Sequence, residues 1–374
     1  MKVENTKFKD PIFVTRPLFP PKEEVFIKMS EIWESKWLSN GGSQHQQLEK
    51  EISQYLKVPH VSLFNNGTIG LMVACKALDL KGEVITTPFT FPATPHSLSW
   101  NGIKPIFCDI DPISLNIDAQ KIEEKISGKT SGILGVHVFG NPCDVKSIDE
   151  ISRRKNLRTI YDAAHGFGLE VDGKGIGTFG DISMFSFHPT KLFHTGEGGA
   201  LTTGDLELKK KIDLLKNFGI KNEEEVTGIG INGKMNEIQA ALGLVVLSHI
   251  AKEKQERRRI ANLYKTFLSG AEGIEIIDKT FQTETSDQYF VIRIKKEFGV
   301  TRDSVHVKLK EYNVFTRKYF FPLCSDYPHY RDSAQNFPVA NQVISEVLSL
   351  PFYGDLSNSD VEKICQMILS LRGK

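Results

Sequence analysis

Short β-rich runs alternate with helical segments from about residue 60 to residue 205, and this alternation constrains the fold more than any other feature. Parallel strands need a long crossover connection, usually a helix, so the pattern favours a mainly parallel sheet covered by helices on both faces. The runs predicted as strands are 61–64, 83–86, 105–108, 132–138, 158–161, 182–187 and 200–203. The sequence therefore predicts an α/β domain.

The length of the chain indicates a second domain. Single hydrophobic cores stop growing near about 250–300 residues, and this chain has 374. Apolar residues recur at helical spacing across 235–267, which predicts one long helix. Strand and helix signals alternate again after it. We expect a large domain with an N-terminal arm at 1–250 and a smaller α+β domain at 251–374.

Charge and composition exclude several classes of partner. Lysine and arginine number 47 against 46 acidic residues, so a net charge near +1 supplies no field to hold nucleic acid. The basic stretch 252–259 carries both signs of charge and is interpreted as a solvated helix face. No apolar run suits a membrane span, and the segment 1–9 is too polar for an export signal. Five scattered cysteines without a Cys-x-x-Cys pair predict a reducing, cytoplasmic location.

A lysine and an aspartate follow two of the predicted strands. Lys191 comes five residues after Ser186, and Asp162 directly follows the apolar run 159–161. Each has an ordinary interpretation, as a surface lysine after a turn and as a helix N-cap. Together they match pyridoxal 5'-phosphate (PLP), which needs a lysine for its covalent link and a carboxylate at its pyridine nitrogen. The pair predicts a PLP site in which Lys191 and Asp162 are catalytic.

Further residues are candidates for the same site. The phosphate of the cofactor needs donors, and a helix predicted to begin at Gly67 and Thr68 offers backbone N–H groups and the positive end of its dipole. The Ser186 hydroxyl adds a donor. Phe91 follows a strand and a turn, where it could stack on the cofactor ring, although most phenylalanines lie in the core. His165 is interpreted as a partner of the cofactor's phenolic oxygen.

Two competing patterns point to other ligands. Residues 175–180 satisfy Gly-x-Gly-x-x-Gly, but a β run follows at 181–187, where a dinucleotide fingerprint would open a helix. We therefore predict no dinucleotide site. His165, His188 and His194 cluster in sequence, yet their spacing and the lack of accompanying acidic or cysteine ligands predict no metal site.

Four motifs, in their order and spacing, resemble the DegT/DnrJ/EryC1/StrS family of sugar aminotransferases. They are Ser-Leu-Phe-Asn-Asn-Gly-Thr at 62–68, Asp-Ala-Ala-His at 162–165, Ser-Phe-His-Pro-Thr-Lys at 186–191 and Gly-Glu-Gly-Gly-Ala at 196–200. The resemblance extends from Trp-Leu-Ser-Asn-Gly-Gly at 37–42 to Leu-Pro-Phe-Tyr at 350–353. It implies a type I PLP fold of the aspartate aminotransferase kind, and a homodimer whose two active sites lie at the subunit interface.

The resemblance also implies roles, residue by residue. Lys191 matches the family's cofactor-linking lysine, Asp162 the partner of the pyridine nitrogen, and His165 the contact to the ring oxygen. The other matches are Phe91 for the stacking aromatic, Thr68 and Ser186 for the phosphate, and Asn232 for an asparagine that reaches the neighbouring subunit's phosphate. Gly67 stands in the same motif where many members have alanine.

The activity implied by the resemblance is transfer of an amino group to a nucleotide-linked keto-sugar. The Asn-Gly-Lys-Met form at 232–235 is similar to members that aminate carbon 4 of dTDP-4-keto-6-deoxy-D-glucose, with L-glutamate as donor, in deoxyamino sugar and O-antigen biosynthesis. Lys234, Arg317 and Lys318 are candidate cations for the diphosphate. Amination of carbon 3, and UDP or GDP in place of dTDP, stay open.

Other classes of PLP protein are alternatives. Some members of the family replace the lysine by histidine and act as dehydratases, so Lys191 favours amino transfer over elimination. A lyase of the desulfurase type would use a mobile cysteine, for which Cys324 is the candidate. A non-catalytic PLP-binding regulator would usually carry a separate DNA-binding or partner module, and the sequence indicates none.

Overall fold

A seven-stranded sheet lies at the centre of the protein, as seen in a computed structural model that describes residues 7–277, 284–332 and 336–373. The strands of the described residues are β1 (Ile12–Phe13), β2 (His60–Phe64), β3 (Glu83–Thr86), β4 (Lys104–Phe107), β5 (Thr130–Val136), β6 (Arg158–Asp162), β7 (Glu170–Val171), β8 (Lys174–Gly175), β9 (Ile182–Ser186), β10 (Gly199–Thr203), β11 (Ile274–Ile276), β12 (Phe290–Ile294), β13 (Val314–Phe315) and β14 (Val347–Leu350).

The large sheet is mostly parallel. Its strand order is β2-β10-β9-β6-β5-β3-β4. The five strands from β9 to β4 run parallel to their neighbours, whereas β10 pairs antiparallel with both β2 and β9. All seven predicted strands are present, with ends that differ from the predictions by at most two residues. The predicted α/β fold class is confirmed.

Helices cover the large sheet. The α-helices are α1 (Lys22–Ser35), α2 (Ser43–Leu56), α3 (Gly67–Ala77), α4 (Ala93–Trp100), α5 (Ala119–Ile122), α6 (Val145–Lys155), α7 (Leu206–Leu215), α8 (Glu237–Leu268), α9 (Arg302–Glu311), α10 (Pro338–Glu346) and α11 (Asn358–Leu369). Within the described ranges, no helix combines the length and apolar character needed to cross a bilayer.

Successive residues of the central strands belong to two different hydrophobic clusters. In β9, Met184 packs in one cluster and Phe185 in the other, and in β6 the same is true of Ile160 and Tyr161. Side chains alternate between the faces of a sheet, so both faces of this sheet are buried. This explains why its strands read as continuous apolar runs rather than as alternating ones.

A second, three-stranded sheet follows the long helix α8. Its order is β11-β12-β14, and a third hydrophobic cluster packs it against α8, α9 and α11. Helix α8 begins with a capping box, in which Asn236 accepts from the Gln239 N–H and the Gln239 side chain accepts from the Asn236 N–H. The predicted domain boundary at residue 250 lies inside this helix, and the division at 250 stays a prediction.

The basic stretch 252–259 lies in α8, and its interpretation as a solvated face is wrong in part. Arg257 and Lys254 are buried, at 1% and 7% exposure. Arg257 Nε donates to Glu253 at 2.6 Å, and Lys254 Nζ donates to Glu284 at 2.9 Å. The mixed charge pairs are present, but α8 packs against other helices on several sides, so part of the charged stretch faces protein.

Residues 175–180 form a turn whose first three residues are buried. Gly175 ends β8, a short 3-10 helix follows at Ile176–Thr178, and the chain then enters β9. A Cβ atom on Gly175 would lie 1.8 Å from the Leu56 carbonyl oxygen, so the close approach of another backbone explains this glycine. This short 3-10 helix leads into a strand, and no α-helix begins in residues 175–180, which removes the context that a dinucleotide fingerprint needs.

Candidate active site

Three chain segments meet where neighbouring strands end. Asp162 is the last residue of β6, Ser186 is the last residue of β9, and α3 begins three residues beyond the end of β2. Strands β6 and β9 are adjacent, and β10 separates β9 from β2. Ligands of open α/β sheets bind outside the carboxyl ends of the strands, and this edge is therefore the place to look for a site.

A cavity of about 740 Å³ opens at this edge. Its volume lies within the range of about 300–1,000 Å³ that is typical of small-molecule sites. It is lined by Asn65, Asn66, Gly67, Thr68, Ile69, Thr90, Phe91, Ala93, Val136, Asp162, Ala164, His165, Met184, Ser186, His188, Thr190, Lys191, Glu197, Arg317, Tyr319 and Phe320. Eight of the eleven predicted site residues are in this set, and Asn232, Lys234 and Lys318 are not.

Lys191 lies in the loop that follows β9, and few side chains contact its amine. Nζ is 5.9 Å from the centre of the Tyr289 ring, and among the described residues it has no hydrogen-bond or ion-pair partner. Burial and the nearby charge of Arg317 lower the pKa of Lys191, while Tyr319 and Asp162 oppose this shift. The lowered pKa favours the neutral amine, which is the nucleophilic form. The interpretation as a surface lysine is wrong.

Asp162 is buried, and both of its oxygens accept hydrogen bonds. Oδ2 accepts from the Thr94 hydroxyl at 2.8 Å, and Oδ1 accepts from the Ala164 N–H at 3.0 Å. Burial raises the pKa of Asp162, and these two donors, with the charge of Lys191, oppose the rise. A coil segment rather than a helix follows Asp162, so the N-cap interpretation is wrong.

The amino end of α3 faces the cavity. Asn66 caps the helix by accepting from the Ile69 N–H at 2.9 Å. The first N–H groups of a helix lack intrahelical partners, so those of Gly67 and Thr68 are placed for an anion together with the positive end of the helix dipole. A Cβ on Gly67 would lie 2.8 Å from Met184 Sδ, which explains why a glycine fits this position.

Aromatic rings from three chain segments, at residues 91, 165 and 319–320, border the cavity. Phe91 is 50% exposed, so the interpretation of Phe91 as a core residue is wrong. The His165 ring stacks on Phe320 at 5.9 Å between centroids and meets the Tyr289 ring edge-on at 4.9 Å. His165 Nδ1 accepts from the Phe139 N–H at 3.2 Å, so the neutral ring carries its proton on Nε2. Burial lowers the pKa of His165 well below its usual value, which favours this neutral form.

The three predicted residues outside the cavity have other surroundings. Asn232 is exposed and pairs through its backbone with Asn217. Lys234 Nζ donates to the Asn217 side chain at 2.6 Å. Lys318 Nζ forms an ion pair with Asp303 at 3.2 Å.

Sequence reasoning missed several residues that support the site. Thr94 donates to Asp162, Tyr319 and Glu197 line the cavity, and Gln288 contacts both chain neighbours of Lys191. Thr94 lies next to the run that contains Phe91, and a hydroxyl residue so close to a candidate ring-stacking residue was the available signal. Gln288 lies about a hundred positions from Lys191 in the chain and carries no local signal.

The surroundings of the histidines and of Cys324 do not favour a metal site or a desulfurase cysteine. His194 Nε2 lies 2.8 Å from the Leu18 carbonyl oxygen, and His194 is outside the set of residues that line the cavity. Across the described residues, no three or more His, Cys, Asp or Glu side chains are grouped to hold a metal ion. Cys324 is buried and its thiol donates to the Thr90 carbonyl at 3.2 Å. Burial raises the pKa of Cys324 to about 12, which leaves little of the thiolate that a desulfurase needs.

The residues present fit PLP. A lysine with a lowered pKa, a carboxylate held by donors and the amino end of a helix border one cavity, as the link, the pyridine nitrogen and the phosphate of the cofactor require. The side chains of Thr68 and Ser186 add hydroxyl groups at the helix end of the cavity.

Comparison with known proteins gives a consistent result. The profile of the DegT/DnrJ/EryC1/StrS aminotransferase family matches residues 21–369. A dTDP-4-amino-4,6-dideoxy-D-glucose transaminase of Shigella dysenteriae is 44% identical over 364 residues, which cover 97% of this chain and 99% of that protein. A GDP-perosamine synthase of Escherichia coli O157:H7 is 32% identical over 360 residues, covering 95% and 97%.

Solved structures agree. The crystal structure of DesI in the presence of its TDP-sugar product superimposes with a TM-score of 0.95 at 33% sequence identity, covering 99% of this chain and 95% of that one. The likeness extends over both sheets and the helices between them. It confirms the predicted fold class, a large mainly parallel sheet with helices on both faces followed by a smaller α+β part.

Proposed function

Because the chain belongs to the DegT/DnrJ/EryC1/StrS aminotransferase family and uses pyridoxal 5'-phosphate, we propose that it transfers an amino group from L-glutamate to dTDP-4-keto-6-deoxy-D-glucose. The product is then dTDP-4-amino-4,6-dideoxy-D-glucose. The observation that carries the choice of sugar is the 44% identity, over 97% of the chain, to a transaminase named for that product.

Lys191 and Asp162 are the catalytic residues in this proposal. When bound, PLP withdraws electrons from the carbon that loses its proton. The Thr94 hydroxyl and the Ala164 N–H both donate to Asp162 and favour its negative charge, which would hold the proton on the cofactor's pyridine nitrogen. Lys191 would hold the cofactor, and its neutral amine, once released, would take the proton from one reacting carbon and return it to the other. Lys191 and Asp162 would play the same roles, in reverse order, when the amino group is passed to the keto-sugar.

The remaining cavity residues bind and orient. The N–H groups at the start of α3, with the hydroxyls of Thr68 and Ser186, would hold the cofactor's phosphate without a large net charge. Phe91 would stack on one face of the cofactor ring, and His165, whose Nε2–H is free of the bond to Phe139, would donate to the ring oxygen.

The active unit in this proposal is a homodimer. Asn232 is exposed and lies outside the cavity of its own chain, as expected of a residue that reaches the phosphate held by a second copy. Exposed apolar side chains on the segment before it, Ile229 at 87% and Val226 at 66%, are surfaces that a second copy would cover.

Arg317 is the best placed of the three candidate cations for the anionic substrate. It lines the cavity, and its guanidinium lies 4.6 Å from the centre of the Tyr319 ring, which fixes its direction. Lys234 and Lys318 are outside the cavity of their own chain and are engaged by Asn217 and Asp303. We keep Lys234 and Lys318 as candidates for binding the nucleotide part of the substrate, which extends beyond the reacting sugar.

The proposed setting is the cytoplasm, in the synthesis of deoxyamino sugars such as those of O-antigen. All five cysteines are free and buried, which fits a reducing compartment.

The test is a comparison of kcat/KM among keto-sugars with glutamate as donor. We expect dTDP-4-keto-6-deoxy-D-glucose to exceed its GDP and UDP analogues and the 3-keto isomer. The identity of 32% to a GDP-perosamine synthase makes the GDP sugar the second candidate. Preference for the GDP or UDP sugar would overturn the proposed nucleotide, and preference for the 3-keto isomer would overturn the proposed carbon.

A further inference from the structure

The loop that carries Lys191 lacks the support of regular secondary structure. Strand β9 ends at Ser186, and the next strand begins at Gly199. Within this loop the Lys191 N–H donates to the His188 carbonyl at 2.9 Å, which closes a turn. The outward-facing peptide groups on either side of Lys191 have no neighbouring strand to pair with. Something else must satisfy them, because unpaired buried peptide groups are costly.

The side chain of Gln288 satisfies both groups. Its Oε1 accepts from the Leu192 N–H at 2.7 Å, and its Nε2 donates to the Thr190 carbonyl at 3.0 Å. The two partners fix which end of the amide is oxygen, since one is a donor and the other an acceptor. A single side chain thus makes the pair of bonds that an adjacent strand would make to the two neighbours of one residue.

Gln288 is itself held firmly. It is 2% exposed, and the guanidinium of Arg257 donates to its carbonyl oxygen and to that of Asp287, each at 3.3 Å. Arg257 is in turn paired with Glu253 at 2.6 Å, and its side chain is 1% exposed. The buried ion pair of α8 therefore anchors the segment that anchors the lysine loop.

The next residue continues the contact. The ring of Tyr289 lies 5.9 Å from Lys191 Nζ and 4.9 Å from the His165 ring. Gln288 thus reaches the backbone on both sides of Lys191, while Tyr289 borders its amine.

We propose that Gln288 is the positioning residue for Lys191, holding the backbone on both sides of the lysine so that its amine meets the cofactor. This inference rests on the proposed role of Lys191. Gln288 is outside the set of residues that line the cavity, so it acts through the lysine and touches neither cofactor nor substrate.

The first experiment measures the covalent link directly. Borohydride reduction at saturating PLP, followed by mass spectrometry, gives the fraction of chains whose cofactor is fixed at Lys191. Gln288→Leu removes both hydrogen bonds at nearly constant volume, and Gln288→Glu keeps the acceptor while losing the donor. We expect a lower linked fraction for both variants, with the total amount of bound cofactor unchanged. Gln44→Leu is the matched control at another buried glutamine, and its linked fraction should equal that of the native chain.

A double-mutant cycle then separates positioning from a general effect on the fold. A free amine such as methylamine takes over from the lysine in Lys191→Ala and does not depend on the backbone of the loop. Gln288→Leu should lower kcat by about 10–100-fold with Lys191 present, because small displacements of a reacting group have effects of this size. In the Lys191→Ala chain supplied with a free amine, Gln288→Leu should change kcat by less than about twofold. Lys191 is then absent, so the loss of its positioning has no further effect on the rate.

The outcomes are distinguishable. An equal proportional loss in both backgrounds, or an unchanged linked fraction in both variants, would overturn the role of Gln288. Lys191→Ala with full turnover and no added amine would instead overturn the proposed function of Lys191, whatever the Gln288 variants do. If Gln288→Leu fails to fold, Gln288→Glu carries the same comparisons, because its shape and polarity are close to those of glutamine.

Discussion

Replacing Thr94 by valine should change how Asp162 responds to pH. Asp162 accepts from the Thr94 hydroxyl at 2.8 Å, and the Thr90 and Thr94 hydroxyls lie 2.8 Å apart. Because the Thr94 proton points at a carboxylate, Thr90 must be the donor in the second bond. The two threonines thus form a directed chain that stabilises the charged form of Asp162. Valine has nearly the same shape as threonine and removes only the hydroxyl.

The expected shift follows from the strength of the lost bond. A hydrogen bond to a charged group contributes about 1.5–3 kcal/mol, and one pKa unit corresponds to about 1.36 kcal/mol. Thr94→Val should therefore raise the pKa of Asp162 by about one to two units, in the same direction as the rise that burial causes. Asp162 would then lose its charge at a higher pH, so activity should fall earlier on the acid side and stay unchanged on the alkaline side.

The assay is the kcat/KM profile from pH 5 to 9 with saturating PLP. The acid limb of the Thr94→Val profile should move to higher pH by about one to two units, and Thr94→Ser should leave it in place because serine keeps the hydroxyl. Thr90→Val should cause a smaller shift in the same direction. An acid limb of Thr94→Val that coincides with the native one would refute the role of Thr94, and so would an equal shift in Thr94→Ser.

Three further predictions concern the proposed roles. Asp162→Asn should lower kcat by about 10²–10³-fold, the size of effect seen when one stabilising electrostatic contact is lost, while equilibrium dialysis shows cofactor still bound; near-native kcat would contradict the role. Inactive Lys191→Ala and Asn232→Ala chains, mixed in equal amounts and refolded together, should regain about a quarter of native activity if sites are shared across a twofold dimer; no recovery would argue against a shared site. Arg317→Ala should raise the KM of the nucleotide sugar by about 10–100-fold, the range for a lost charge-assisted bond. Arg153→Ala, which removes an exposed arginine outside the cavity, is the control and should leave KM unchanged; equal effects would contradict the role of Arg317.

The central sheet was predictable because its strands are buried on both faces. Such strands read as continuous apolar runs with turn signals at their ends, and the positions of Asp162 and Lys191 after two of these runs follow directly. The order of the strands was not predictable from the same signals. Strand β10 enters between β2 and β9 and runs antiparallel to both, a choice that depends on packing between distant segments.

The supporting contacts of the site were harder to predict for a related reason. Thr94 and Asp162 are separated by 68 positions, and Gln288 is separated from Thr190 and Leu192 by 98 and 96. A glutamine before a strand has no composition or spacing that marks it as a backbone partner. The burial of Arg257 was missed for the same reason, since a charged stretch on a helix is exposed unless a remote segment packs over it.

Asp162, which is buried, and Lys191, which is half-buried, line the same cavity and differ in how their side chains are hydrogen-bonded. Burial alone drives Asp162 and Lys191 towards their neutral forms, raising one pKa and lowering the other. Asp162 has a donor on each oxygen, which favours its charge, whereas within the described ranges Lys191 Nζ has no hydrogen-bond or ion-pair partner. The backbone around the lysine, by contrast, is fixed by Gln288 and by the turn to His188. A carboxylate that must stay charged needs hydrogen-bond donors on its oxygens. An amine that must form a covalent link, be released from it and then carry a proton needs a fixed backbone and an amino group without hydrogen-bond partners. The hydrogen bonds are therefore distributed as the proposed transfer requires, on the side chain of one residue and on the backbone of the other.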